Sequence, residues 1–183
     1  AELYEQKWQS MRAKKLGLKR HNPATDQALN KELHDVLQLV ETDMTIFYRK
    51  LADVDCENSQ LSDKELIAPL MDAYYAPDAL SADDKMRTCN WLRLYQQRVA
   101  EDGTSNVIRR QNMNVINPKY VLRNYMAQLA IDKAEQGDFS LVNELLALLR
   151  QPYAEQADMA HFAVKRPDWA RDRAGCSMLS CSS

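Results

Sequence analysis

Glycine is scarce and scattered in this sequence, and this feature limits the available folds more than any other. Only four glycines occur, at Gly17, Gly103, Gly137 and Gly175, and each stands alone. Runs in which apolar and polar residues alternate, as they do along a half-buried strand, are also missing. Apolar residues instead recur every three or four positions, the spacing of one helix face. The sequence predicts an all-α, multi-helix bundle-like fold with roughly six to eight helices.

Local signals divide this pattern into separate helices. A side chain that can cap free amide groups, or a proline that lacks an amide, precedes each run of regularly spaced apolar residues. These signals predict helix starts after Asn22, near Thr42, after Ser62, at Ser81, at Asn117–Pro118 and at Ser140. Gly17 and Gly137 predict helix ends, because glycine readily adopts the left-handed conformation of a carboxy-terminal cap. The last two predicted helices would form an antiparallel hairpin.

The aromatic residues are predicted to lie in the core. Tyr4, Trp8 and Met11 share one face of the first helix, and Trp91 falls in the long helix that starts at Ser81. At helical spacing and without flanking basic clusters, such residues are more often core than a stacking surface for bases. We therefore predict that the three tryptophans are packed inside the protein.

Apolar density falls after Pro152, and the sequence ends in Cys-Ser-Ser. This change predicts a helical domain over residues 1–153 and an extended carboxy-terminal tail over residues 154–183 that packs against another surface. The chain does not begin with methionine, which fits a processed product, a segment chosen for expression or an excised part of a longer protein equally well.

Composition narrows the classes of partner. The chain has 24 Lys and Arg against 26 Asp and Glu, for a net charge of -2, so a nucleic-acid partner is not indicated. No apolar run of about 18 residues and no signal peptide are present, so we expect no membrane association. With 45% hydrophobic and 27% charged residues the chain is expected to be soluble and globular.

The sequence offers little for cofactor or metal chemistry. A phosphate-binding loop usually needs clustered glycines, and none are present. His21, His34 and His161 lie far apart and away from paired cysteines, so a zinc site is not predicted. His34 or His161 could serve as a base for a cysteine if the fold brought them together, but surface histidines are the more common outcome. We predict no catalytic, cofactor-binding or metal-binding residue in this chain.

The four cysteines are too few and too dispersed for a secreted disulfide scaffold, which favours a reducing compartment such as the cytoplasm. Cys89 falls on an apolar helix face and is predicted to be core. Cys56 lies between Asp55 and Glu57, whose charges should raise its pKa and make it inert. Cys181 is the third residue from the end, in a segment of low apolar content, and is the redox candidate, although composition alone favours a loose chain end with an incidental cysteine.

Several motifs resemble the selenoprotein O family. They are Asn-Pro-Lys-Tyr-Val-Leu-Arg-Asn-Tyr at 117–125, Ala-Gln at 127–128, Glu-Gln-Gly-Asp-Phe at 135–139, Leu-Arg-Gln-Pro-Tyr at 149–153, Pro-Asp-Trp-Ala at 167–170 and Cys-Ser-Ser at 181–183. Residues 11–14 and 16–18 are similar to the family as well. The similarity covers nearly the whole chain and is weakest over residues 58–102. It matches the carboxy-terminal region of the family.

The resemblance implies a fold and an activity for the complete protein. Members of this family have a protein-kinase-like fold, bind ATP and Mg²⁺, and transfer AMP to hydroxyl groups of other proteins. Their nucleotide-binding and catalytic residues lie in the larger amino-terminal part, and none of those motifs matches this chain. Many eukaryotic relatives, which are mitochondrial, have selenocysteine at the position of Cys181. Cys176, in contrast, fits no family pattern, and a Cys176–Cys181 bridge stays an open alternative.

Two functional hypotheses follow. The first is that this chain is the carboxy-terminal helical part of an ATP-dependent protein adenylyltransferase, a scaffold whose partners are the amino-terminal kinase-like part and the protein substrates. The second is an independent helical module that presents an apolar groove to a protein partner without catalysis. A purely structural fragment is the remaining alternative.

Overall fold

The computed structural model describes residues 2–176. The fold is helical, and in this part of the chain the extended pairing is limited to a single antiparallel bridge between Thr42 and Tyr74. Contacts between residues divide the protein into two compact units, with the division between Asn117 and Pro118. The all-α prediction is therefore confirmed for residues 2–176.

The first unit contains six α-helices. They are α1 (Glu2–Lys15), α2 (Pro23–Val36), α3 (Met44–Leu51), α4 (Asp63–Ile67), α5 (Ala82–Asp102) and α6 (Asn106–Asn114). Two short 3₁₀ helices, Ala68–Ala73 and Pro77–Ala79, connect α4 to α5. Pro69 lies in the first turn of the former, where its missing amide removes no helical hydrogen bond.

The helix starts of the first unit follow the predicted capping signals. The side chain of Asn22 accepts a hydrogen bond from the Ala24 amide, at 3.1 Å, in front of α2. A capping box starts both α4 and α5. In this motif a hydroxyl and a carboxylate each accept a hydrogen bond from the backbone amide of the other residue. Gly17 lies just after the end of α1 and has a φ of 72°, a conformation that other residues adopt only at an energetic cost.

The core of the first unit is built around α5. Cys89, Leu92, Tyr95 and Val99 share the apolar face of this helix, and all four are buried. Trp91 stacks on Tyr95 with ring centroids 5.5 Å apart, and its indole N–H donates to the Leu29 carbonyl of α2 at 3.0 Å. Phe47 of α3 packs against the same indole at 6.2 Å. Burial of such rings is favourable by about 25 cal/mol for each Å² of apolar surface removed from water.

The second unit contains α7 (Asn124–Ala134) and α8 (Ser140–Leu149), followed by 3₁₀ helices at Ala157–Phe162 and Asp168–Ala170. The two α-helices pack against each other as the predicted hairpin. Their buried residues share a cluster with Tyr120 and Ala170. The Tyr120 hydroxyl donates to the Gln156 carbonyl at 2.9 Å, which ties the segment before α7 to the segment after α8.

One predicted helix start was wrong. The signal at Asn117–Pro118 predicted a helix from there to Gly137, but α7 begins at Asn124. The amides of Lys119 and Tyr120 instead donate to the carbonyl of Pro152, at 2.8 and 3.0 Å. Because those amides are satisfied by a distant residue, the helix does not begin there.

The boundary between the units also differs from the predicted one. The sequence placed it after residue 153, whereas the contacts divide the chain between Asn117 and Pro118. The segment predicted to be a tail packs into the second unit as far as it is described: Met159 and Phe162 lie against its core, and Ala170 and Cys176 are buried in it.

Candidate functional site

The cysteines named by the sequence differ in burial. Cys89 is buried, as predicted, and burial raises its pKa to about 11. Cys56 also has a pKa raised to about 11, chiefly by burial and to a lesser degree by Asp55 and Glu57. The predicted direction was therefore correct, although no pattern in the sequence indicated that this loop cysteine is buried. Cys181, the redox candidate, lies outside the described residues.

The three histidines occupy separate environments. His21 Nδ1 lies 3.1 Å from the Asp26 carboxylate, His34 Nε2 lies 2.8 Å from the Gln38 amide nitrogen, and the His161 ring packs beside Phe162. Among residues 2–176, no group of three or more His, Cys, Asp or Glu side chains could hold a metal ion.

The prediction that the three tryptophans are buried was correct for one of them and wrong for the other two. Trp91 is completely buried, but Trp8 and Trp169 are 42% and 49% exposed. Tyr4, 70% exposed, stacks on Trp8 with ring centroids 6.5 Å apart. The apolar face predicted for the first helix exists, but in the structure it is open to solvent.

A buried arginine links α6 to the end of α3. The Arg109 guanidinium is fully buried and donates to the carbonyls of Leu51, at 3.0 Å, Ala52, at 3.3 Å, and Val54. The last turn of a helix leaves carbonyls without helical partners, and a cation there also complements the helix dipole. The Tyr95 hydroxyl accepts a further hydrogen bond from Arg109 at 3.0 Å. The sequence did not single out this residue.

A second buried charge fixes the loop between α1 and α2. Asp26 is fully buried and its carboxylate lies 2.6 Å from Arg98 Nε. Arg98 also contacts the Asp102 carboxylate at 2.9 Å and donates to the Arg20 carbonyl at 2.8 Å. The Lys19 amide donates to Asp102 at 2.8 Å. This network joins α2, α5 and the loop between α1 and α2. Its role is structural.

A groove of about 680 Å³ lies between α1, α2 and α3, and we call it the α1–α2 groove. Leu16 and Leu33 form a buried floor, and Trp8, Met11 and Met44 form a partly exposed apolar rim. The Lys15 ammonium lies 4.3 Å from the centroid of the Tyr48 ring. Burial lowers the pKa of Lys15 and raises the pKa of Tyr48.

The lining of the groove is apolar and basic. It contains Arg12, Lys15, Lys31 and His34, and within residues 2–176 it contains no Asp or Glu. All four glycines of the sequence adopt positive φ and stand apart from one another along the chain. The described part of the chain also has no helix that is both long enough and apolar enough to span a membrane.

Comparison with known proteins places this helical chain in a family of nucleotidyltransferases. The sequence pattern of the family described as Protein adenylyltransferase SelO matches residues 1–150. Proteins named Protein nucleotidyltransferase YdiU are 49% identical in Rhodopirellula baltica and 46% identical in Azoarcus sp., each over 100% of this chain. The similar protein from Flavobacterium johnsoniae is 48% identical over 87% of the chain.

The chain belongs to the SelO family of protein adenylyltransferases. It spans about a third of the length of the curated relatives that it matches, 35% of the Rhodopirellula protein and 34% of the Azoarcus protein. The resemblance noted from the sequence motifs is therefore confirmed at the level of the family.

Proposed function

We propose that this chain is the carboxy-terminal helical part of an ATP-dependent protein adenylyltransferase, which we call the parent polypeptide. The family match over residues 1–150 supports this proposal, together with the coverage of only a third of each relative. In this proposal the chain forms a helical extension of a protein-kinase-like fold and scaffolds the enzyme. ATP and Mg²⁺ bind the amino-terminal part, and this chain supplies no ligand to them.

The reaction proposed for the parent polypeptide is nucleotidyl transfer. The hydroxyl oxygen of a Ser, Thr or Tyr side chain of a protein substrate bonds to the α-phosphorus of ATP. The bond between that phosphorus and the bridging oxygen of the β-phosphate breaks, pyrophosphate leaves, and the hydroxyl proton passes to a base or to water. The magnesium ion would balance charge on the phosphates, as it does in phosphoryl transfer.

A labelling experiment tests this function. The parent polypeptide is incubated with magnesium and with ATP that is radiolabelled either at the α- or at the γ-phosphate. We expect protein labelling from α-labelled ATP only, because AMP retains the α-phosphorus and the γ-phosphorus leaves with pyrophosphate. Labelling from γ-labelled ATP would indicate a kinase and would contradict the proposal, as would the absence of labelling from both.

The alternative of an independent interaction module is less well supported, because the family that matches most of the chain is an enzyme family. Under that alternative, this chain would be found as a separate protein without an adenylyltransferase polypeptide attached. The length of the open reading frame that encodes it distinguishes the two.

We also propose that Cys181 is a redox-regulatory thiol of the parent polypeptide. Cys56 and Cys89, with pKa values near 11, carry only about one thiolate in a thousand molecules at pH 8 and so react slowly. Mass spectrometry after brief treatment with a thiol probe should find Cys181 labelled before Cys89. Equal labelling of the two would contradict the proposal, and intact mass with and without reductant tests for a bridge to Cys176.

A further inference from the structure

The first helix exposes more apolar surface than its place in a folded unit explains. Leu3, Tyr4, Trp8 and Met11 are between 37% and 70% exposed on α1, although their spacing is that of a packed helix face. In the same helix Ala13 is buried, as is Leu16 just after it, so the carboxy-terminal end of α1 is anchored. A contiguous apolar surface of this kind indicates a contact with another surface.

This surface leads into the α1–α2 groove. Trp8 and Met11 form part of its rim on one side, and Met44 of α3, 46% exposed, forms part of the other side. A groove with a leucine floor and large apolar side chains at its edge has the form that accepts an amphipathic helix. The volume of about 680 Å³ is enough for several side chains of such a helix.

The charges around the groove restrict what can bind there. Arg12, Lys15 and Lys31 contribute to its lining, and Asp and Glu are absent from the lining within residues 2–176. The carboxylates of α2 that could neutralise them, Glu32 and Asp35, contact Arg87 of α5 at 2.6 and 3.0 Å. Covering these cations with apolar surface alone would be costly, because a desolvated charge needs a partner. The occupant must therefore carry carboxylates beside its apolar residues.

We infer that the α1–α2 groove and the exposed face of α1 bind an acidic, amphipathic segment of the parent polypeptide that lies outside these 183 residues. The inference rests on the proposal that this chain is part of a longer enzyme. The curated relatives are about three times as long as the region matched here, so most of their chain is absent and available as the occupant. Its apolar side chains would contact Trp8 and Met11, and its carboxylates would pair with Lys31 and Lys15.

Hydrogen exchange of α1 tests the inference. In the isolated chain the first turns of α1 have few contacts and should exchange fast, whereas in the parent polypeptide they should exchange at least about tenfold more slowly. Trp8→Ser in the parent should remove most of this protection. Leu94→Ser is the matched control, because Leu94 is 51% exposed on α5 and lies outside the groove. It should leave the exchange of α1 unchanged.

A charge pair of variants tests the acidic character of the occupant. Lys31→Glu should lower the protection of α1 in the parent by about tenfold, because it places like charges against each other. Lys64→Glu reverses an exposed lysine on α4, outside the groove, and should have no effect. Circular dichroism of the isolated variants checks that they fold. Equal effects of the two reversals would overturn the acidic assignment.

The outcomes separate this inference from the proposed function. A parent that transfers AMP but exchanges α1 as fast as the isolated chain would overturn the inference alone. Protection of α1 that depends on Trp8 and Lys31 supports it even in a parent that transfers no AMP, a result that would overturn the function. If the isolated chain forms a dimer that Trp8→Ser dissociates, and the parent does not protect α1, the occupant is a second copy and the inference is wrong.

Discussion

Replacement of Arg109 by methionine should destabilise the first unit strongly. Methionine retains a long apolar side chain but removes the guanidinium that donates to the carbonyls of Leu51, Ala52 and Val54. Each buried acceptor left without a donor costs about 1–3 kcal/mol. Part of that cost is offset, because an arginine no longer has to be desolvated. We expect a net loss of about 3–5 kcal/mol, the range found when one partner of a buried charged interaction is removed.

Urea denaturation followed by circular dichroism and by tryptophan fluorescence measures this loss. Trp91 is a suitable probe, since it is completely buried and stacks on the tyrosine that Arg109 contacts. Arg110→Met is the matched control: Arg110 is 55% exposed and pairs at 3.2 Å with Asp53, which is 45% exposed, so its loss should cost less than about 1 kcal/mol. Equal midpoints for the Arg109 and Arg110 variants would refute the structural role assigned to the buried guanidinium.

Three further predictions concern local stability. Gly17→Ala should lower the free energy of unfolding, measured by urea denaturation, by about 1–3 kcal/mol more than Gly103→Ala does. Both glycines have positive φ, but of the two only Gly17 would place the new Cβ 2.7 Å from a neighbouring side chain. Asp26→Asn should cost about 1.5–3 kcal/mol by the same assay, because the buried Arg98 loses one of its two close carboxylate partners and keeps Asp102, and a loss below about 1 kcal/mol would contradict that. Hydrogen bonds from Ser81 lower the pKa of Asp84, so this capping box stabilises above the unfolded carboxyl pKa and its contribution is lost as the pH falls through the lowered value. Ser81→Ala should therefore lower the Tm more at pH 7 than below the lowered pKa, where only the pH-independent hydrogen bond from the Asp84 amide to the Ser81 hydroxyl is lost.

Helix starts were predictable wherever the determining interaction is local. The capping boxes at Ser62 and Ser81 and the asparagine–proline start at Asn22 are each formed within three residues of the chain. The helix start predicted at Asn117 was wrong because the interaction that decides the structure there is not local. The amides that follow Pro118 bond to the carbonyl of Pro152, a partner more than thirty residues away that no local pattern reveals.

The buried charges could not be predicted from the sequence. Arg109 lies next to Arg110 in a short polar helix, and only the fold turns the first of these side chains inward, to the end of α3. Asp26 follows a helix start, where an acidic residue is expected on the surface. The exposure of Trp8 could not be predicted, because helical spacing predicts an apolar face but does not show whether any part of this chain covers that face.

Thermal denaturation with ATP and magnesium tests most directly whether this chain is a scaffold without a nucleotide site of its own. A ligand that binds only the native state stabilises it by about 2.7 kcal/mol at a hundred times its Kd. We expect ATP with magnesium to raise the Tm of the parent polypeptide and to leave the Tm of the isolated chain unchanged. A magnesium-dependent rise in the Tm of the isolated chain would contradict the assignment of this chain as a scaffold.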